Sequence, residues 1–261
     1  MSAEILVVRC GIVPYEEARE AQLRLAERRQ RGEIADVLLL LEHPPVYTRG
    51  RRSGPEELPM GAQWYEMQGI EVRDTDRGGR VTYHGPGQLV AYPIVSLRPY
   101  GDDVLAYVRR LERVMIEALA EHGVEAGLIE GLTGVWVTPP TTCGSPLGRY
   151  PDQRTAASAE ADQGARKIGS IGVHVSRGVT THGLAVNVSN DLQPFEWIVP
   201  CGIEGVAMTS LSRELEAEQD LGAFTDTVAA RFGAVYDRAP RAAEPADLGL
   251  ELPAATLGIT R

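Results

Sequence analysis

The chain has 261 residues, 43 % of them hydrophobic, 24 % charged and 6 % aromatic, and a formal charge of −10 from 26 basic and 36 acidic residues. The basic side is 25 arginines and one lysine, Lys167 in A-R-K-I, which excludes both a P-loop (G-x-x-x-x-G-K-[ST]) and a kinase-type V-A-I-K strand. The negative balance argues against a nucleic-acid binder, and no apolar run approaches the ~18 residues that a membrane span needs.

Residues 4–10 (EILVVRC) read as a strand. Pro14 opens a helix with Glu16 and Glu17 in its first turn and an arginine-rich last turn, stopped by Gly32. Residues 36–42 (DVLLLLE) suit a strand covered on both faces, ended by His43-Pro44-Pro45. Further strands are expected over 70–74, 79–84 and 88–97. The clearest helix covers 102–122, with Leu105, Val108, Leu111, Met115, Ala118 and Leu119 on one stripe and Gly123 as stop. Residues 133–138 (TGVWVT) read as a strand. From Pro139 to Arg166 the composition turns to Pro, Thr, Ser, Ala, Gly and Asp, as in a flexible insertion. A hairpin is expected from 168–176 and 180–188 around Arg177-Gly178, a strand over 195–199 and a helix over 220–236. The domain reading is one unit over 1–238 and a tail over 239–261. Helices and strands mix without a βαβ rhythm, so the fold class is α/β (α+β) with a mixed, mostly antiparallel sheet and flanking helices. Three cysteines without C-x-x-C, and an opening Met-Ser-Ala-Glu without a basic or apolar leader, lead us to expect a cytoplasmic protein with reduced thiols.

Four segments concentrate chemistry-bearing residues. The first, Arg77-Gly78-Gly79-Arg80-Val81-Thr82-Tyr83-His84-Gly85-Pro86-Gly87-Gln88, reads either as two turns around a strand or as the wall and rim of a ligand site, where glycine lets backbone approach closely. In the second, Lys167-Ile168-Gly169-Ser170-Ile171-Gly172, small residues surround the lone lysine. A surface lysine on a strand edge, or a survivor of a coding bias toward arginine, is the alternative. The third is Thr181-His182-Gly183-Leu184-Ala185-Val186-Asn187, by itself an ordinary strand. In the fourth, Pro200-Cys201-Gly202-Ile203, a turn would present the thiol, whereas Cys10 reads as core and Cys143 falls in the insertion.

In this order the motifs R-G-G-x-x-T-Y-H-G-P-G-Q (77–88), K-I-x-S-I-G (167–172), H-G-L-A-x-N (182–187) and P-C-G-I (200–203) resemble the lipoyl (octanoyl) transferase family of lipoate biosynthesis. The resemblance runs from about residue 5 to about 236, and the insertion and tail depart from the family pattern. It implies the catalytic fold of the biotin/lipoate protein ligases. It further implies transfer of an octanoyl or lipoyl group from acyl carrier protein to a lysine of an acceptor. The acceptors would be lipoyl domains of 2-oxoacid dehydrogenase subunits and the glycine cleavage H protein. Cys201 would carry the acyl group as a thioester and Lys167 would be its partner. Arg77, Gly78, Gly79, Arg80, Val81, Thr82, Tyr83, His84, Ser170, Ile171, Gly172, Gly183, Leu184 and Ala185 would form the acyl-substrate walls. No metal, ATP or other cofactor is implied, because the acyl group arrives on the phosphopantetheine arm of the carrier.

The chemistry fits these residue types. A thiol of pKa ~8.5 needs a nearby cation to become the nucleophilic thiolate, and a lysine can also take up a proton near neutrality, which an arginine can hardly do. Backbone N–H groups beside Cys201 and in Ser170–Gly172 are the expected oxyanion donors, and His84 is a rival base. Acidic partners of so negative a chain would need a local basic patch, for which Arg49, Arg51 and Arg52, with Arg77 and Arg80, are the candidates. Two other readings remain: an ATP-dependent lipoate or biotin protein ligase on the same fold, and a non-catalytic acyl-binding protein. A cysteine hydrolase would want a histidine tied to Cys201, and no motif supplies one.

Overall fold

The computed structural model describes residues 3–138, 164–199 and 206–252. Its central sheet is built on β2 (Asp36–Glu42), whose apolar run divides by strand alternation between two cores. Leu38 and Leu40 face one side, Val37, Leu39 and Leu41 the other, and all five are buried. Beside β2 run β1 (Ala3–Ile12), parallel, and β6 (Gln88–Ile94), antiparallel. On β6 pairs β9 (Val179–Asn187), and on β9 pairs β8 (Arg166–Ser176), both antiparallel. β7 (Val135–Val137) pairs antiparallel with the first half of β8, and β10 (Ala207–Met208) pairs parallel with its first two residues. The sheet is thus mixed and mostly antiparallel, as its sequence pattern led us to expect.

The turn that joins β8 to β9 is Arg177-Gly178, both with positive φ (50° and 75°). That is the two-residue geometry whose twist matches a hairpin. One face of the sheet packs on α3 (Val104–Glu121) and α5 (Leu221–Tyr236), the other on α1 (Tyr15–Gln30). α3 starts on Asp103, whose carboxylate accepts the Ala106 N–H at 3.0 Å, and buries Tyr107, Leu111, Val114, Met115, Ala118 and Leu119. Val104 and Leu105, at its first turn, stay exposed.

A smaller sheet runs β4–β3–β5, from β3 (Val46–Arg49), β4 (Glu71–Asp74) and β5 (Thr82–His84). It encloses a third core of Tyr47, Tyr65, Ile70, Val81, Tyr83, Phe195, Ile198 and Met208, to which α2 (Ala62–Met67) contributes Tyr65.

Three expectations need correction. Residues 195–199 form no strand: Gln193–Glu196 is a helical turn, α4, that buries Phe195, and Ile198 just beyond it is buried as well. β3 follows directly on Pro44-Pro45, where no element was expected. Residues 239–252, expected to begin a tail, are part of the fold. β11 (Arg238–Ala243) extends the central sheet parallel to β1, and beyond it Leu248 and Leu250 are buried in the second core. β11 is an edge strand whose outward residues are exposed, so it tolerates Pro240 and carries no alternating signal. Of the expected insertion, 139–163 lie outside the described residues, and Arg166 already belongs to β8.

Candidate functional site

The β8–β9 hairpin, the loop before β5 and the start of α3 enclose a cleft of about 770 Å³. Ser170, Ile171 and Gly172 of β8 and Gly183, Leu184 and Ala185 of β9 form one wall. Gly172 and Gly183 are register partners. A Cβ on Gly172 would come within 2.8 Å of Arg77 Cδ, and one on Gly183 would run into the backbone carbonyl of Ala91. The two glycines therefore admit the protein's own Arg77 loop and β6, and the cleft opens over them.

Arg77, Gly78, Gly79, Arg80, Val81 and Thr82 form the facing wall. The Gly78 N–H donates to Val173 O at 2.9 Å, and the N–H groups of Arg51 and Arg52 donate to the carbonyls of Arg77 and Gly79. The Arg77 guanidinium is buried: Nε and Nη2 donate to Thr48 Oγ1, Nη2 to Thr48 O at 2.6 Å and Nη1 to Gly78 O. Arg80 pairs at 2.5 Å with the carboxylate of Glu57, 1 % exposed, which also accepts the Val81 N–H. These arginines tie the loop down. Arg49 pairs with Asp74, so of the expected patch Arg51 and Arg52 are the exposed members, and Arg52 lines the cleft.

On β5, Thr82 and His84 face the cleft while Tyr83 does not, which corrects its expected place on the wall. Strand alternation turns Tyr83 into the third core, against Tyr47 and Phe195. His84 donates from Nδ1 to Gln88 Oε1 at 2.7 Å. Gln88 Nε2 donates on to Asn187 Oδ1, and Asn187 Nδ2 to Thr209 O, the residue after β10. Burial, with His43 nearby, pushes the His84 imidazole well below its ordinary pKa, so it is neutral in the folded protein.

Lys167 closes one end of the cleft. It is 3 % exposed, and its Nζ lies 5.3 Å from the centre of the Trp136 ring. Gly134, at φ +112°, leaves it space, since a Cβ there would stand 2.8 Å from Lys167 Cε. The Gly134 N–H donates to Glu112 Oε1 of α3 at 3.1 Å, so a fully buried carboxylate anchors this loop. β10 pairs with Arg166 and Lys167. Cys201, six residues ahead of Ala207, lies outside the described residues, as does Pro200-Cys201-Gly202 as a whole.

The opposite end carries residues to which the sequence assigned no role: Tyr15, Tyr92 and His182. Tyr92 donates to His43 Nε2 at 2.8 Å, and His43 donates from Nδ1 to Val13 O, while burial holds its pKa near 4. His182 donates from Nε2 to Asp76 Oδ1 at 2.9 Å, and that bond holds the Asp76 carboxyl well below its usual range. Burial outweighs the carboxylate at His182 itself and leaves the ring neutral. Among the described residues no group of three or more His, Cys, Asp or Glu can hold a metal, and no helix is long and apolar enough to cross a membrane.

Residues 14–233 match the family described as lipoyl protein ligase A/B catalytic domain. An octanoyltransferase of Chloroflexus aggregans is 43 % identical over 237 residues, 90 % of this chain and 96 % of the relative. The chain belongs to the lipoyl protein ligase A/B catalytic-domain family. Within that family, an octanoyltransferase of Solibacter usitatus is 49 % identical over 193 residues, 74 % of this chain and 76 % of its own. The fold is shared with a bipartite lipoate protein ligase of Thermoplasma acidophilum, at a TM-score of 0.67 and 15 % identity over 93 % of this chain and 87 % of that one. The lipoyl protein ligase A/B match ends at residue 233, short of β11.

Proposed function

We propose that this protein is an octanoyltransferase that moves an octanoyl group from acyl carrier protein to a lysine of a lipoyl domain through a thioester on Cys201. The observation that carries the reading is the lone lysine of the chain, Lys167. It is buried at the end of a cleft with mostly small and apolar walls, and it is register-paired with the strand that follows the Cys201 segment. The identity to proteins named octanoyltransferase supports the same substrate.

Attack by the Cys201 thiolate on the donor thioester exchanges one thioester for another, and the leaving carrier thiolate takes a proton from the Lys167 ammonium. The acceptor amine then attacks the acyl-enzyme, the amide forms as the acyl C–S bond breaks and the Cys201 thiolate leaves, and the proton lost by the amine passes to a base. Lys167 is the residue that can hold a thiolate as its counter-ion and accept that proton in the second step. Arginine could supply only the charge. Both steps run without ATP, because the donor is already activated. N–H groups of the β8 wall at Ser170–Gly172 and of the residues beside Cys201 stabilise the oxyanion. His84, neutral and committed to Gln88, orients the rim and is not the base.

The substrate walls are Arg77–Thr82 with His84, Ser170–Gly172 and Gly183–Ala185. The acidic protein partners approach on the side of Arg51 and Arg52. The test is transfer from octanoyl carrier protein to a purified lipoyl domain without ATP, compared with transfer from free octanoate plus ATP. Modification only in the first mixture supports the reading. Modification only in the second makes the protein a ligase.

A further inference from the structure

Asn187 ends the third of the chemistry-bearing segments and does not line the cleft. It stands where β8 changes partners. β9 pairs with β8 as far as Gly169, whose partner is Val186, and beyond that point β10 takes over, with Met208 opposite Lys167. Asn187 is the next residue of β9, and its side chain spans the break. Its Nδ2 donates to Thr209 O at 2.9 Å, and the Thr209 N–H donates to Lys167 O at 2.9 Å. A carbonyl can only accept, so the carboxamide has one orientation: Nδ2 toward Thr209, Oδ1 toward Gln88 Nε2 and Asn190 Nδ2 at 2.9 and 3.2 Å. Asn187 and Gln88 are 2 % exposed and Thr209 is fully buried. Buried polar groups bonded in this way hold one geometry, because moving one strands its partners.

Backbone pairing alone would hold this place weakly. β10 is two residues long, so few ladder bonds tie it to β8. Side chains supply the rest. The Thr209 hydroxyl donates to Glu214 at 2.6 Å, and Glu214 receives the Arg166 guanidinium on both oxygens, at 2.8 and 2.9 Å. Gln88 is the register partner of Asn187 on β6, and its Oε1 receives the His84 imidazole. One chain of hydrogen bonds thus runs from His84 on the cleft wall to the backbone of Lys167 at the cleft end. We propose that Asn187 is a positioning residue that holds Lys167 in place through Thr209, a part in transfer that rests on Lys167 being the reacting group. Loss of the bond to Thr209 O frees β10 from β9 and leaves Lys167 with its other register partner, Trp136 of β7.

The test is magnetic resonance of the full-length protein with lysine labelled by carbon-13 at Cε, which needs no turnover. The chain has one lysine, so one signal arises. The proton shift of that methylene reports the Trp136 ring, whose centre lies 5.3 Å from Nζ. Asn187→Asp keeps acceptors for Gln88 and Asn190 and removes the donor to Thr209. Asn187→Ser shortens the reach on both sides and adds no charge, so it carries the comparison where the buried carboxylate unfolds the chain. Leu248→Ala, a change in the second core, is the control for lost stability. Each variant is read below its own thermal midpoint. In the Asn187 variants the signal should move toward its position in the unfolded chain, while in the control it stays. Octanoyl transfer by the same variants should lose about ten- to hundredfold in kcat with KM within about threefold, the loss that a misplacement of about 1 Å produces. A native signal in a folded Asn187 variant, or an equal movement in Leu248→Ala, overturns the proposal. A moved signal with kcat held within about threefold leaves the link to Lys167 standing and takes Lys167 out of the reaction, which removes the proposed function instead.

Discussion

Gly183 separates the cleft from the sheet behind it. Any side chain there meets the backbone carbonyl of Ala91 on β6, which cannot swing away as a flexible side chain would. Gly183→Ala is expected to cost about 1–3 kcal/mol of stability, by forcing apart two central strands. A denaturant titration checks it, and an unchanged midpoint would show that β6 yields freely. At Lys167 the expectation is chemical. Lys167→Arg retains a cation over Trp136, but a guanidinium can hardly take part in proton transfer. Transfer should fall by two or more orders of magnitude with little change in stability, read by comparing turnover with thermal midpoint. Transfer within tenfold of the native protein would take Lys167 out of the chemistry.

Among the elements, α3 supports the site through a buried carboxylate. Glu112, fully buried, receives the Gly134 N–H and pairs with Arg109 at 2.7 Å. Its removal frees the loop that backs Lys167. Glu112→Ala should cost about 1–3 kcal/mol for the unsatisfied groups it leaves and lower kcat more than it raises KM, since it acts through the placement of Lys167. A change in KM alone would place its effect on substrate binding instead. β11 gives the second element-scale expectation. A chain ending at Asp237 loses the parallel partner of β1 and the burial of Leu248 and Leu250. It should unfold at markedly lower denaturant, whereas a true tail would be removable without effect.

These elements also mark where residue patterns speak and where they fall silent. β2, α3 and the hairpin were legible because apolar spacing and the Arg177-Gly178 turn are local signals. β3, α4 and β11 were not. β3 is only four residues long and sits behind two prolines. α4 is a single turn whose Phe195, with Ile198 just beyond it, packs into a core built from distant residues. β11 lies at an edge and exposes most of its side chains, so nothing in its sequence marks it as paired. In the site, residues of the glycine and histidine motifs line one cleft. Tyr83 faces the other way because motif membership says nothing about strand phase. Tyr15, Tyr92 and the His182–Asp76 pair are tied together by contacts that each span 60 or more residues, a proximity only the sheet topology creates.

For the molecule as a whole, three of its five histidines, His43, His84 and His182, are buried and held neutral, each with its pKa pushed below 6.5. The unfolded chain takes up protons on these imidazoles as pH falls through about 6.5, and the folded chain refuses them until lower pH, near 4 for His43. Stability is therefore fully present above about pH 7 and declines below it, by up to ~1.4 kcal/mol per pH unit for each imidazole. The depressed Asp76 carboxyl acts in the same direction at still lower pH: its contribution is present above its ordinary value of 3.8 and is lost as it protonates in the fold. Denaturation midpoints at pH 7.5, 6 and 5 should fall in that order. A flat profile would mean that the histidines are not held neutral in the fold.

The most direct test of the covalent route is the intact mass of the protein after incubation with octanoyl carrier protein and no acceptor. The expected result is a mass increase of one octanoyl group, mapped to Cys201 by peptide analysis, absent in Cys201→Ser and released when a lipoyl domain is added. An unmodified protein that still transfers octanoate to the lipoyl domain, or an adduct retained in Cys201→Ser, would contradict it.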